Sequence, residues 1–137
     1  MSDDEIRLQG IDHVGAPVWD ADAATAFYER LGKEVVIDEH LPEYDIRAVF
    51  LDFDGVYLEF LEPTGPGNVK TFLERHGPGY QHMAYRVADV DAAVEALRED
   101  GFTFQSDDPM PGAGGTRIIF LEERHTAGFQ VELVEHV

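Results

Sequence analysis

The stretch Ile11 to Gly32, IDHVGAPVWDADAATAFYERLG, returns as Tyr80 to Gly101, YQHMAYRVADVDAAVEALREDG, at a shift of 69 residues and without a gap. The identical pairs are His13/His82, Val18/Val87, Asp20/Asp89, Asp22/Asp91, Ala23/Ala92, Ala24/Ala93 and Gly32/Gly101. Ala and Asp are common in this chain, but their order is not supplied by composition, so the repeat indicates two tandem modules. Each copy opens with an extended apolar stretch carrying a histidine. An aspartate follows, suited to cap a helix by accepting a bond from its free first-turn amides.

Working outward, the repeat predicts helices near 20–31 and 89–100. Their apolar residues recur at helical spacing, Ala23, Phe27 and Leu31 in one and Val90, Ala93, Val94 and Leu97 in the other, which predicts that these faces cover a sheet. Gly32 and Gly101 suit the left-handed cap that ends each helix. Strands are expected at Glu34 to Glu39, Arg47 to Phe53 and Val56 to Leu61, the last two joined by the turn signal Asp54-Gly55. The second copy gives the same order more weakly, through Phe102 to Gln105, Thr116 to Glu122 and Phe129 to Glu135. Pro63 to Gly79, with a short helical pattern at Val69 to Arg75 between Gly- and Pro-rich ends, reads as a linker. The expected organisation is an acidic flexible tail at residues 1–10 and one domain at 11–137, made of module one (11–62), the linker (63–79) and module two (80–137). The fold class is α+β: two strand–helix–strand–strand–strand modules forming a curved, partly open eight-stranded sheet.

The closing strands also correspond, Tyr57-Leu58-Glu59-Phe60-Leu61-Glu62 against Gln130-Val131-Glu132-Leu133-Val134-Glu135. Each module therefore offers one His and one Glu. Glu59 is flanked by apolar residues within a strand, where a carboxylate suffers a desolvation penalty unless a cation or donors meet it. If the modules pack as a pseudo-symmetric pair, His13, Glu59, His82 and Glu132 converge. Two imidazoles and two carboxylates suit a divalent first-row ion and leave an octahedral ion two positions for water or a chelating substrate.

The 137 residues carry 28 Asp plus Glu against 10 Lys plus Arg, a formal charge of -18, and no cysteine. At 44% apolar, the chain can bury a core as one compact domain without disulfides. The absence of Cys excludes a thiolate nucleophile, a Cys-ligated zinc and an iron–sulfur centre, so a metal must rest on His, Asp or Glu. So negative a field repels nucleic acid and anionic membrane surfaces. With no apolar run long enough to span a bilayer, the sequence predicts a cytoplasmic protein. Acid spread along the whole chain with Lys only at Lys33 and Lys70 further predicts a halophilic source, because a Debye length of about 3 Å at 1 M salt screens the self-repulsion.

The motifs Ile11-Asp12-His13-Val14-Gly15, Pro42-Glu43, Leu61-Glu62-Pro63, His82-Met83-Ala84-Tyr85-Arg86-Val87, Pro111-Gly112-Ala113-Gly114-Gly115 and Val131-Glu132-Leu133-Val134-Glu135 resemble those of the vicinal oxygen chelate superfamily. Within it they are most similar to the methylmalonyl-CoA epimerases. The resemblance runs from about Ile11 to Glu135. The His and Glu positions are shared across the superfamily, whereas Pro42-Glu43 and the Pro-Gly-Ala-Gly-Gly loop look particular to the epimerases. It implies a divalent ion on His13, Glu59, His82 and Glu132, with Co²⁺ foremost and Ni²⁺, Mn²⁺ or Zn²⁺ as alternatives, binding the carboxylate and thioester oxygens of an acyl-CoA. The reaction implied is removal of the alpha proton to a metal-stabilised enolate, with Glu43 and Glu132 as the bases on opposite faces. Burial beside apolar residues is expected to raise the pKa of Glu43. A homodimer is implied by the same analogy.

Two segments depart from the epimerase pattern. Glu122-Glu123-Arg124-His125 stands where a His-Pro-Lys type segment is usual, and Tyr44-Asp45 where Gln-Gly is usual. Partners for coenzyme A phosphates are then sought among Arg117, Arg124, Arg47 and Lys33, with the amides of Gly112, Gly114 and Gly115 as an anion-binding concavity. By itself a mid-strand His is more often a hydrogen-bonded core residue than a ligand, Glu43 would be a surface loop residue, and the glycine run a flexible turn. His40, His76, His125 and His136 read as solvated, and Trp19, Phe27 and Tyr28 as packing. Three rival functions are weighed: a glyoxalase I type lyase acting on a glutathione hemithioacetal; an extradiol dioxygenase, which needs only two His and one carboxylate, so that Glu59 as a fourth ligand argues against it; and a metal-free drug-binding module, which has no need for two His and two Glu in register.

Overall fold

The computed structural model of the chain describes residues 6–137. The acidic tail expected at residues 1–10 thus lies partly outside the described residues; of its described part, Gln9 donates its amide to the Arg86 carbonyl at 2.8 Å. The chain divides into two compact units, His13 to Gln81 and the described residues up to Asp12 together with His82 to Val137.

In the first unit the order is β1 (Gly10–Pro17, from His13 onward), α1 (Ala21–Arg30), β2 (Val35–Leu41), β3 (Ile46–Phe53), β4 (Val56–Pro63) and α2 (Asn68–His76). β3 pairs antiparallel with both β2 and β4, and β4 pairs parallel with β1 in the register Gly15↔Glu59. Asp20 accepts the Ala23 amide at 3.0 Å as the N-cap of α1, and Gly32, at φ 91°, lies just past its end. The core is Ala16, Ala21, Val49, Leu51 and Phe60, with Tyr28 and Leu58 packed against it.

The second unit holds β5 (His82–Arg86), α3 (Val90–Glu99), β6 (Met110–Pro111), β7 (Arg117–Phe120) and β8 (Gln130–Glu135). β8 pairs parallel with β5 and antiparallel with β7, and β7 with β6. Asp89 caps α3 by accepting the Ala92 amide at 3.0 Å, and Gly101 repeats the φ of 91°. Val87, Val90, Ala93, Val94, Ile119, Leu121 and Leu133 form the core, so the apolar face predicted for α3 is the buried one.

For α1 the predicted face is wrong. Ala23, Phe27 and Leu31 are exposed, Phe27 to 64% and Leu31 to 66%, while Ala21 and Thr25 are buried. The helix turns the positions equivalent to Val90 and Val94 inward. Because its inward residues are small or polar, the apolar outer stripe gave the stronger periodic signal. Trp19 is likewise half exposed; of the three aromatics read as packing, Tyr28 packs, against Phe53 and Phe60.

Phe102 to Gln105 does not form a strand. Among the described residues it is joined to the sheet by the isolated bridge Phe104↔Leu121, with Gln105 donating its amide to the Phe120 carbonyl and Glu122 its amide to the Thr103 carbonyl, and the edge strand of this unit is the two-residue β6. Arg98 draws the following segment toward α3 by donating to the Asp107 carbonyl at 2.5 Å. The helical pattern at Val69 to Arg75 is α2, anchored by buried Leu73. Among the described residues no helix is long and apolar enough to cross a membrane.

Candidate metal centre

The two units build the same His–Glu pair by the same backbone rule. In the first, Glu59 lies opposite Gly15 on β1, and His13, two residues earlier on that strand, shares its face. The His13 Nε2 stands 3.2 Å from Glu59 Oε1. In the second, Glu132 lies opposite Ala84, and His82, again two residues earlier, places Nε2 3.5 Å from Glu132 Oε1. The antiparallel neighbour of each Glu is a phenylalanine, Phe50 for Glu59 and Phe120 for Glu132. Each ring meets the unit's imidazole edge-on, at centroid distances of 5.5 Å for His13 and 5.4 Å for His82. An aromatic wall therefore fixes each imidazole while the carboxylate sits at its Nε2.

All four polar side chains are buried: His13 to 5% exposure, Glu59 to 6%, His82 to 8% and Glu132 to 3%. Burying a carboxylate is costly without compensating charge, and the cost is met twice with the same residue types. Two ligand atoms each about 2.1 Å from one ion stand about 2.9–3.4 Å apart at angles between 90° and the tetrahedral value. The observed 3.2 Å lies within that range and 3.5 Å just beyond it, so each His–Glu pair suits two neighbouring ligands of a divalent metal.

Glu43 lies apart from either pair in sequence and setting. It sits in the 3-10 turn Pro42–Tyr44 that joins β2 to β3 and is exposed. The burial expected for it is therefore absent: the turn lies at the tip of the β2–β3 hairpin and leaves the Glu43 side chain exposed. In the glycine loop, Ala113–Gly115 forms a 3-10 turn with Gly114 at φ 69° and Gly115 at φ 76°. The Gly112 amide bonds the Thr116 carbonyl at 2.9 Å, and a Cβ on Gly112 would meet Thr116 Oγ1 at 2.5 Å and Ile118 Cγ2 at 2.8 Å. The loop is tightly built rather than a flexible turn.

The cations named as phosphate partners are engaged elsewhere. Arg117 holds Asp91 through two bonds, at 2.5 and 3.0 Å. Arg47 bonds both Asp38 oxygens at 2.9 Å and Asp22 at 2.8 Å, and the hydrogen bonds from Arg47 hold both carboxyls below their ordinary value. Lys33 lies over the Phe53 ring, and Arg124 donates to Thr103 Oγ1 at 2.9 Å. The substrate-contact expectation for Arg117 thus meets an arginine already spent on a helix.

Two of the histidines read as solvated also have structural partners. His125 accepts the Thr103 amide at Nε2, 3.0 Å away, and packs on Phe102. The Glu122 carboxylate of the same turn makes a short bond with the Thr103 hydroxyl that holds its pKa low. His136 pairs with buried Asp12 at 2.5 Å, beside the Arg86 guanidinium at 2.7 Å. The departing segment Glu122 to His125 is therefore a pin holding the chain at Thr103.

Sequence reasoning missed a second repeated device. Glu62 accepts the Ala21 amide and Glu135 the Val90 amide, both at 2.8 Å, at the first residue of each helix. The signal was present in the alignment of the closing strands, where both ended in Glu.

The chain is similar over most of its length to proteins that are named methylmalonyl-CoA epimerases. The ethylmalonyl-CoA/methylmalonyl-CoA epimerase of Cereibacter sphaeroides is 34% identical over 127 residues, 90% of this chain and 95% of that one. The crystal structure of methylmalonyl-CoA epimerase from Mycobacterium tuberculosis superposes with a TM-score of 0.91 at 31% identity, covering 100% of this chain and 93% of that one. The Streptomyces coelicolor methylmalonyl-CoA epimerase in complex with 2-nitronate-propionyl-CoA is 36% identical, with a TM-score of 0.89 over 96% of this chain and 99% of that one. The α+β fold read from the internal repeat, with four strands described in each unit, is the one these structures share. With residues 12–120 matching its family profile, the chain belongs to the Glyoxalase/Bleomycin resistance protein/Dioxygenase superfamily.

Proposed function

We propose that the protein is a metal-dependent epimerase that moves the alpha proton of a methylmalonyl-CoA-type acyl thioester. The observation that carries this reading is the duplicated, buried His–Glu pair, in a chain similar over nine-tenths of its length to named epimerases. His13, Glu59, His82 and Glu132 hold one divalent ion in this reading, Co²⁺ foremost and Ni²⁺, Mn²⁺ or Zn²⁺ in its stead. When bound, the ion supplies Lewis-acid stabilisation to charge that develops on the substrate's oxygens, worth several kcal/mol.

The chain's own residues do the rest. Glu43 takes or returns the alpha proton on one face of the planar carbon and Glu132 on the other, since inversion requires a base on each side. The phenylalanine walls hold the imidazoles in place, and the exposed setting of Glu43 leaves its carboxylate in reach of a ligand arriving from solvent. The Gly112 to Gly115 turn, with left-handed Gly114 and Gly115, is the proposed anion-binding concavity for the acyl-CoA; Arg117 joins it only by leaving Asp91. A homodimer in a salt-rich cytoplasm completes the reading, by family analogy and from the charge of -18.

The test is isotope exchange. Protein loaded with Co²⁺ in molar KCl and D₂O is offered methylmalonyl-CoA, and alpha-proton washout and loss of optical activity are followed. Fast exchange abolished by chelator is the expected result. No exchange with metal bound would discard the substrate, and turnover of the glutathione hemithioacetal of methylglyoxal would replace the reading with a glyoxalase I type lyase.

A further inference from the structure

The turn that carries Glu43 is held from outside by the chain that continues β4. Asp45, which closes the turn, is a non-glycine residue in the left-handed region at φ 53°, ψ 46°, and its amide bonds the Pro42 carbonyl at 3.2 Å. Its own carbonyl accepts the Thr64 amide at 2.8 Å. One residue on, a Cβ on Gly65 would lie 2.8 Å from Asp45 Oδ1 and 3.3 Å from Asp45 Cβ; two further on, a Cβ on Gly67 would lie 3.5 Å from the Tyr44 carbonyl. The contact extends the β3–β4 ladder, whose last pair is Ile46↔Pro63, past the end of both strands. The hairpin tip between β2 and β3 would otherwise be a free loop with an exposed Glu43 side chain. Instead its backbone is fixed to the same strand that carries Glu59.

Resting on the epimerase reading, we infer that Thr64, Gly65 and Asp45 are positioning residues for Glu43: a clasp that sets the base at a fixed place relative to the strand bearing Glu59. None of the three touches substrate in this account. Thr64 supplies the backbone donor, Gly65 leaves room for the Asp45 side chain, and Asp45 supplies the left-handed residue that aims the turn. Asp and Asn tolerate that conformation better than other non-glycine residues because their short polar side chains bond locally. A displacement of about 1 Å at a reacting group can cost on the order of 100-fold in rate while substrate binding is kept.

The test uses Thr64→Pro, which deletes the donated amide, Gly65→Val, which drives a side chain into Asp45, and Asp45→Asn as the conservative variant, all in Co²⁺-loaded full-length protein. For the first two, kcat is expected to fall about 10- to 100-fold, with KM and Co²⁺ affinity within about twofold of the parent, and Asp45→Asn to retain most of kcat. Unchanged kcat in both Thr64→Pro and Gly65→Val would overturn the clasp, as would a kcat loss matched by lost Co²⁺ affinity. If the parent itself fails to exchange the alpha proton, the epimerase reading fails separately. The clasp is then judged by amide hydrogen exchange, where faster exchange at Asp45 in Gly65→Val supports it and no change overturns it.

Discussion

The Glu135 carboxylate accepts the Val90 amide at 2.8 Å across 45 residues of chain. The bond ties the strand bearing Glu132 to the first residue of α3. Helix N-termini leave amides without intrahelical partners, and a carboxylate there also meets the positive end of the helix dipole. Glu135→Ala is expected to cost about 1–2 kcal/mol, and Glu135→Gln less, because its carbonyl oxygen can still accept. Urea unfolding midpoints of the two variants check this, and Glu62 facing Ala21 should behave alike.

Removing one histidine from each pair tests whether the pairs share an ion. His13→Ala and His82→Ala are each expected to weaken Co²⁺ binding by more than about 100-fold, beyond the usual effect of residues that merely orient ligands. Competition with a chromophoric chelator reads both. Normal affinity in one variant and lost affinity in the other would mean that the pairs act separately.

Glu43→Gln is expected to abolish turnover while Co²⁺ affinity stays at the parent value, since Glu43 is exposed on a turn outside the two buried His–Glu pairs. Deuterium washout and metal titration on the same preparation separate the two effects.

The Arg47 network gives a signed pH dependence. Hydrogen bonds from Arg47 hold Asp22 and Asp38 below the ordinary value of 3.8, so the stability they add is fully present above about pH 3.8 and is lost as pH falls through their lowered values. Arg47→Leu should lower Tm at pH 7, and the gap from the parent should shrink as pH falls below 3.8 and the two carboxyls protonate. The pairs are exposed, so the gap at pH 7 should also narrow in molar salt.

Salt should act on the whole chain in the opposite sense. With a charge of -18, repulsion is felt over about 30 Å at 0.01 M ionic strength and only about 3 Å at 1 M. Tm is therefore expected to rise between dilute and molar KCl, and a flat profile would refute the halophilic reading.

The sequence by itself determined the duplication, the α+β class, the capping aspartates and the two matched His–Glu pairs, because each is a local pattern stated twice. An Asp before an apolar helix, a Gly after it and a His two positions ahead of a cross-strand Glu need only backbone geometry to be read. Tertiary structure alone decided which side of α1 is inside: Ala21 and Thr25 are small enough to seat the helix close on its sheet, so the larger Phe27 and Leu31 are left outside. It also decided the partners of the arginines. Arg47 and Arg117 were legible as cations, but a long side chain goes to whichever carboxylate the packed strands and helices bring within reach, and here those are Asp22, Asp38 and Asp91. The setting of Glu43 follows the same rule, since the burial of a turn depends on what folds over it rather than on the residues it contains.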